Sequence, residues 1–270
     1  MAITAALVKE LREATGLGMM EAKKALDEVA GDFEKAIELA RTKGLAKMDG
    51  RTDRDSAEGR VAVAIADDKA KGAIVLVNTE TDFTANNDGF IAMTDTVAKA
   101  ALAHEPGDIA EPDDAMRTAI DEVRLTTKEN AQFAKGKVLG GAGKSVGGYV
   151  HHNGKVGALV ELAGDGVTDE LIKDLCMHVS AIVPAPIGLA EDDIPAETID
   201  KEKAIAKQQA IEQGKPAEIA EKMVAGKMRK FYEERLLPRQ KFVKDDKKSV
   251  QDILPNDVSI TAFALFKVGG

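Results

Sequence analysis

Few side chains in this sequence have both the type and the spacing for chemistry, and each has an ordinary structural use to set against it. Gly140-Gly141-Ala142-Gly143-Lys144-Ser145 resembles the end of a phosphate-binding loop. Such a loop needs a glycine separated by four residues from the Gly-Lys-Ser, where Val138 stands, and a helix immediately after it to aim backbone N–H groups at phosphate. A strand pattern follows instead, so the segment reads as a flexible connector. His151-His152 are adjacent in a strand pattern, which points them to opposite faces and keeps them from sharing a metal. Cys176 and His178 lie two apart in a helical pattern and face different ways. No nucleophile sits beside a histidine, and the carboxylates are spread over solvated faces. The sequence therefore predicts no catalytic residue, no metal site and no cofactor.

The remaining candidate is Asn78-Thr79-Glu80-Thr81-Asp82-Phe83-Thr84, which follows the apolar run Ile74-Val75-Leu76-Val77. Four branched aliphatic residues bounded by Gly72 and polar residues read as a buried strand, and the polar stretch is its exit. On spacing alone this is a turn in which Asp82 caps and Phe83 folds back onto the core.

The elements that must position this segment follow from periodicity. Thr4 is placed to cap a helix carrying Leu7, Val8, Leu11 and Ala14 on one face, stopped by Gly16-Leu17-Gly18. A second helix carries Ala22, Ala25, Leu26 and Val29. Asp32 caps a third, with Phe33, Ala36, Ile37 and Ala40 inward and Gly44 as its stop. Such a bundle is too small for much chemistry of its own and suits protein binding. The pair Met19-Met20 reads first as core and second as an adaptable contact surface. Charges crowd residues 45–58, which read as a linker long enough to let the bundle move.

Val61, Val63 and Ile65 alternate, residues 67–72 turn the chain, and 74–77 return, which is a hairpin. Helical patterns follow over 89–103 and 112–133. The plan then recurs: a strand over 148–152, a turn at Asn153-Gly154, a strand over 156–162, and a helix capped by Thr168, with Leu171, Ile172, Leu175, Val179 and Ile182 along one face and Pro184 at its end. Two strand-turn-strand units, each followed by helix, predict a duplicated α+β core. Residues 196–231 break the pattern as two charged helices around Gly214-Lys215-Pro216. Arms of about 18 residues would each reach roughly 27 Å. Ile199, Ile205, Ile219 and Met223 form a sparse seam, so this hairpin projects as an insertion. Phe242-Val243 and the run 260–266 read as strands that complete the second unit.

Composition narrows the function. A 270-residue chain with 44% hydrophobic residues can bury a real core, and with no Trp and 4% aromatics that core is aliphatic. A net charge of −9 argues against a phosphate-backbone binder. The basic stretch from Lys227 to Lys244 is interrupted by Glu233, Glu234 and Pro238 and reads as a solvated surface. A single cysteine makes no internal disulfide, and no apolar run has transmembrane length, so a cytoplasmic protein with neither membrane nor direct nucleic-acid binding is expected.

Leu7-Val8-Lys9-Glu10-Leu11-Arg12, the run from Gly18-Met19-Met20 to Ala25-Leu26, Glu80-Thr81-Asp82-Phe83, Met177-His178-Val179, and Gly214-Lys215-Pro216 with Ala220-Glu221-Lys222-Met223-Val224 resemble, in order, the bacterial translation elongation factor Ts family. That resemblance implies an α+β fold with a ubiquitin-associated-like three-helix bundle and linker over 1–54. It further implies a core N-subdomain over 55–140, and a core C-subdomain over 141–270 with the helical arm inserted at about 190–230. It implies a guanine-nucleotide exchange factor, not an enzyme, that binds elongation factor Tu in its GDP-bound and nucleotide-free forms. Thr81, Asp82, Phe83 and Thr84 would intrude beside the phosphate and Mg²⁺ end of the partner's nucleotide site and dislodge the ion. Met19, Met20 and Lys23 on the bundle, Ala131, and His151 would make further partner contacts. A non-catalytic adaptor or chaperone-like module is the alternative. Thr84 and Asn86 stand where the family often has an aliphatic and a basic residue, Met48-Asp49-Gly50 replaces a basic, alanine-rich linker, and the chain stops at Gly270 where many relatives continue into a helical module.

Overall fold

The computed structural model describes residues 3–15, 17–49, 56–214 and 216–270, with side chains at 45–49 and 217 excepted. The expected stop at Gly16, the charged segment 50–55 and Lys215 in the arm's turn lie outside the described residues.

Three helices come first: α1 (Ala5–Thr15), α2 (Met19–Glu28) and α3 (Phe33–Asp49). Thr4 Oγ1 accepts from the Leu7 N–H at 3.2 Å, and Asp32 Oδ1 accepts from Lys35 N–H at 3.2 Å. Val8, Leu11, Ala22, Ala25, Leu26 and Ala36 make the small core, whereas Ala14 is exposed. Gly44 does not stop α3. A glycine inside a helix costs only about 1 kcal/mol, and the helix runs on to Asp49. Gly44 is instead where this helix crosses α6 (Asp114–Thr127) closely: a Cβ there would meet the Leu125 side chain. Arg41 pairs with Glu122 at 2.9 Å across the same contact, so the bundle is seated on α6.

The rest is mixed α and β with antiparallel sheets. One sheet has the order β1 (Glu58–Ile65), β2 (Lys71–Thr79), β4 (Gln132–Gly140), β3 (Gly107–Ile109), and the other β5 (Lys144–Val150), β6 (Val156–Ala163), β9 (Ser259–Lys267). A short pair, β7 (Lys241–Phe242) and β8 (Asp245–Ser249), lies outside both. The two large sheets face each other through Val61, Ile74, Leu76, Val146, Leu159 and Phe266. Opposite residues of the same strands turn outward to helices. Ala62, Val75 and Val77 pack on Phe90, Met93 and Val97 of α5 (Asp88–Ala101) and on Met116 and Ile120 of α6. Ala158, Val160 and Leu162 pack on Leu175, Cys176 and Val179 of α7 (Asp169–Ala181). Burial on both faces is why 74–77 is continuously apolar, since an alternating strand suits only a sheet with one wet face. The sheets approach closely at glycines: a Cβ at Gly148 would fall on Val63, and one at Gly157 on Val61.

Several boundaries differ from expectation. The helix foreseen over 112–133 ends at Thr127, where Lys128 takes a left-handed conformation (φ 61°), and 132–140 is strand β4. Gly140–Ser145 is an ordered junction between the sheets, not a loose connector: Gly140 N–H donates to Glu161 at 2.7 Å and Lys144 Nζ lies 3.5 Å from the same carboxylate. α8 (Ala196–Glu212) and α9 (Ala217–Arg235) pair antiparallel. Their seam is made of Ala206, Ala210 and Met228, with Ile199 and Met223 half-buried; Ile205 and Ile219 are exposed, because small alanines let the two backbones approach and leave no room for branched side chains between them. A bridge between Gly188 and Leu236 fastens the base of this helix pair, with Ile187 N–H donating to Arg235 O at 2.9 Å.

Candidate functional site

β2 ends at Thr79, and one short turn later the chain enters α4 (Asp82–Ala85). Thr81, not Asp82, caps it, its hydroxyl oxygen accepting from Thr84 N–H at 3.3 Å. Thr84 and Ala85 face the interior, which turns the preceding Phe83 away from it. Phe83 is 86% exposed, so the ring does not fold back onto the core. Asn86 closes the turn through its side-chain amide on Asp82 O at 2.9 Å, and Asn87 caps α5 by accepting from Gly89 N–H.

A carboxylate 48 residues further on holds this turn in place. Glu129 accepts from Thr79 Oγ1 at 2.9 Å, Thr81 N at 3.1 Å and Thr81 Oγ1 at 2.7 Å. The tie is reciprocal, because Asn130 N–H donates to Glu80 Oε1 at 2.9 Å. Partial burial alone would raise the Glu129 pKa, but hydrogen bonds from Thr81, Thr84 and Thr79 and from the Thr81 backbone reverse this and hold it below its ordinary 4.5. Ala131, expected at the partner surface, is only 2% exposed and belongs to the core beneath α5 and α6. Its side chain is buried because β4 begins at the next residue and carries it inward. The family resemblance points to Glu129-Asn130-Ala131 as a contact segment, but nothing local in the sequence ties Glu129 to a segment so far upstream.

The β5–β6 turn approaches the same face. Gly154 O accepts from Val61 N–H at 2.8 Å, bringing this turn of the second sheet against the first. Lys155 pairs with Glu58 at 2.7 Å. That hydrogen bond holds the ammonium above its usual pKa, with a smaller attraction from the Asp82 carboxylate. Glu58 stands opposite Thr79 in the β1–β2 register, which brings the β5–β6 turn beside the 81–84 turn. His151 and His152 do not point to opposite faces. The strand ends at Val150, the turn gathers the two rings to 4.2 Å between centroids, and His151 Nδ1 lies 3.1 Å from Asn153 Oδ1. His151 is half-buried and His152 exposed. Thr81–Thr84, the 129–131 turn and the His151 turn thus share one region. Met19, Met20 and Lys23 lie apart from it on α2. All three are exposed, Met19 at 49% and Met20 at 68%, so the methionines are surface and not core. They stand at the start of α2, just after its N-cap Gly18 and ahead of its buried stripe of Ala22, Ala25 and Leu26.

The other chemical candidates are structural. A strand, β5, follows Gly143-Lys144 where a phosphate loop needs a helix. His178 is wholly buried, its Nε2 3.1 Å from Gln240 Oε1 and its Nδ1 accepting from Val243 N–H at 3.2 Å, a neutral ring with both nitrogens used. Burial depresses its pKa, partly opposed by the Gln240 bond. Burial also pushes the Cys176 thiol up to about 12, leaving it unreactive. Among the described residues no group of three or more His, Cys, Asp or Glu is arranged to hold a metal ion, and no helix is long and apolar enough to cross a membrane.

The fold and this face define an α+β scaffold protein that carries a capped turn with an outward aromatic ring. Comparison with known sequences gives that class a family. The Elongation factor TS family matches residues 80–270. The chain is 43% identical over 276 residues to elongation factor Ts of Alkalilimnicola ehrlichii, covering 100% of this chain and 93% of that protein. It is 41% identical to that of Teredinibacter turnerae (100% and 92%) and 43% identical to that of Nitratiruptor sp. (94% and 87%). The chain belongs to the elongation factor Ts family, which places it among the elongation factors of protein biosynthesis.

Proposed function

We propose that this protein is the guanine-nucleotide exchange factor of elongation factor Tu, binding the GDP-bound GTPase and speeding GDP release without covalent chemistry. The observation that carries the reading is Phe83, 86% exposed on a turn that Thr84 and Ala85 anchor to the core. Burying a phenylalanine stabilises a fold by about 1.5–3 kcal/mol. A ring held out by a cap and a carboxylate clamp is placed to spend that free energy on a partner. Asp82 and Phe83 form the exposed part of the wedge, Thr81 caps it, and Thr84, expected to intrude with them, is buried and anchors the turn to the core instead. Mg²⁺ neutralises phosphate charge in the GTPase, so a carboxylate and an aromatic ring that disturb its surroundings raise the free energy of bound GDP. By linkage, GDP weakens the grip of the exchange factor by the same factor. His151 adds a contact from the neighbouring turn, and the 129–131 turn contributes through the wedge.

In this reading residues 1–54 form a ubiquitin-associated-like bundle that grips the nucleotide-binding domain through Met19, Met20 and Lys23. Residues 55–140 and 141–270 are related subdomains, and the α8–α9 arm projects from the second. The protein works in the cytoplasm, with neither membrane nor direct nucleic-acid contact. Release of a fluorescent GDP analogue from elongation factor Tu tests the proposal. Acceleration that saturates with this protein is expected. Binding without acceleration would leave the adaptor reading in its place.

A further inference from the structure

Resting on that reading of the wedge, we infer that Glu129 is a positioning residue for exchange: it touches neither nucleotide nor partner, and it fixes the direction in which Phe83 leaves the scaffold. The argument begins with the size of α4. A four-residue helix cannot hold itself, because its few internal bonds do not offset the cost of nucleation. Only Thr84 and Ala85 anchor it to the core. The equivalent exit from β6 has no such difficulty, since α7 is thirteen residues long and is fixed by Ile172, Leu175, Cys176 and Val179.

Glu129 supplies what α4 lacks. Its two carboxylate oxygens take the last hydroxyl of β2, the Thr81 N–H and the Thr81 hydroxyl, so the strand end and the helix cap are bound to one group. The Thr81 hydroxyl is thereby oriented: it donates to Glu129 and keeps a lone pair for Thr84 N–H, which sets the cap that faces Phe83 outward. The base of the clamp is itself packed and hydrogen-bonded. Ala131 is buried in the core, Asn130 is wholly buried with its N–H on Glu80, and Ser56 Oγ donates to Asn130 O at 3.1 Å. The turn that the sequence placed at the partner surface thus acts on the partner through Phe83. A rigid wedge spends less of its contact free energy on ordering itself.

Two measurements test this, and the first needs no partner. The chain has no tryptophan, so Phe83→Trp introduces a single reporter at the wedge. Adding Glu129→Gln, which replaces one acceptor oxygen by a donor, should introduce fast local motion into its time-resolved anisotropy while the unfolding midpoint by circular dichroism barely changes. An unchanged decay overturns the inference, whether or not the protein proves to be an exchange factor. The second is run without the reporter. Glu129→Gln should lower the maximal GDP-release rate by up to about tenfold, less than the roughly hundredfold that a full ångström of misplacement can cost, with affinity for nucleotide-free elongation factor Tu nearly kept. Thr79→Val, which removes one of the three bonds at little change in volume, should give a smaller loss in the same direction. Equal losses of rate and affinity, or no loss in either variant, would contradict a positioning role.

Discussion

At the ends of β2 and β6 the chain does the same thing locally. A threonine, Thr81 or Thr168, takes the N–H of the residue three further on, and an aspartate, Asp82 or Asp169, opens the helix where its charge is favoured. Beyond the caps the two exits diverge. After Thr168 the helix continues for thirteen residues and covers its sheet. After Thr81 it stops after four, and the covering helix α5 starts again under a second cap at Asn87. The first unit has one extra turn inserted between strand and covering helix, and the only large apolar side chain on that turn faces water. One exit is used for burial and the other leaves an aromatic ring at the surface. The core is not disturbed by it, because α5 still does for the first sheet what α7 does for the second.

The largest effect that would sharpen this contrast is on stability in the second unit. Leu175→Ala should cost about 2–5 kcal/mol in urea unfolding, since the leucine is wholly buried and its removal leaves a cavity. Next come the caps. Thr168→Ala should lower stability by about 0.5–2 kcal/mol. Thr81→Ala should act locally, speeding amide exchange at Thr84 more than it moves the global midpoint; equal global losses would mean that α4 is as much a part of the core as α7. Smaller again is the response to acid. The His178 pKa is lower in the fold than the ordinary 6.5, so the unfolded chain binds the proton first and stability should fall as pH drops below that value. The Glu129 pKa is likewise depressed, from 4.5, so the clamp's contribution is present above that pH and lost only as pH falls further. Amide exchange followed from pH 7 downward should therefore loosen the C-terminal end of α7 before the 81–84 turn. The reverse order would break the comparison. Least affected should be the stability of Phe83→Ala, within about 0.5 kcal/mol of the parent, as expected for an exposed position.

Much of this was legible in the chain itself. The run 74–77 announced a strand covered on both faces, Asn153-Gly154 announced the second hairpin, and Thr4, Asp32 and Thr168 announced their caps. β4 was not legible, for a physical reason: it lies between β2 and β3 yet carries Lys135, Gly136 and Lys137, which break any alternating pattern. Its lysines are accommodated at their tips, Lys137 on Asp108 at 3.0 Å and Lys135 over the Phe266 ring at 4.9 Å. Gly44 read as a stop because a helix-breaking residue and a close-packing residue look alike until the neighbouring helix is known. In the arm the isoleucines drew attention, and the alanines made the seam. At the 81–84 turn, spacing alone folds Phe83 onto the core, whereas the ring is exposed, and the tie from Glu129 to Thr79 and Thr81 is not legible because hydrogen bonds across fifty residues leave no local pattern.

The central claim is that the wedge serves release more than adhesion, and Phe83→Ala tests it most directly. Stopped-flow release of a fluorescent GDP analogue, compared with the affinity of the same variant for nucleotide-free elongation factor Tu, should show the maximal release rate falling about tenfold while affinity changes by less than about threefold, because the bundle and the other contacts supply most of the binding. Equal losses in rate and affinity would show Phe83 to be an anchor and contradict the account.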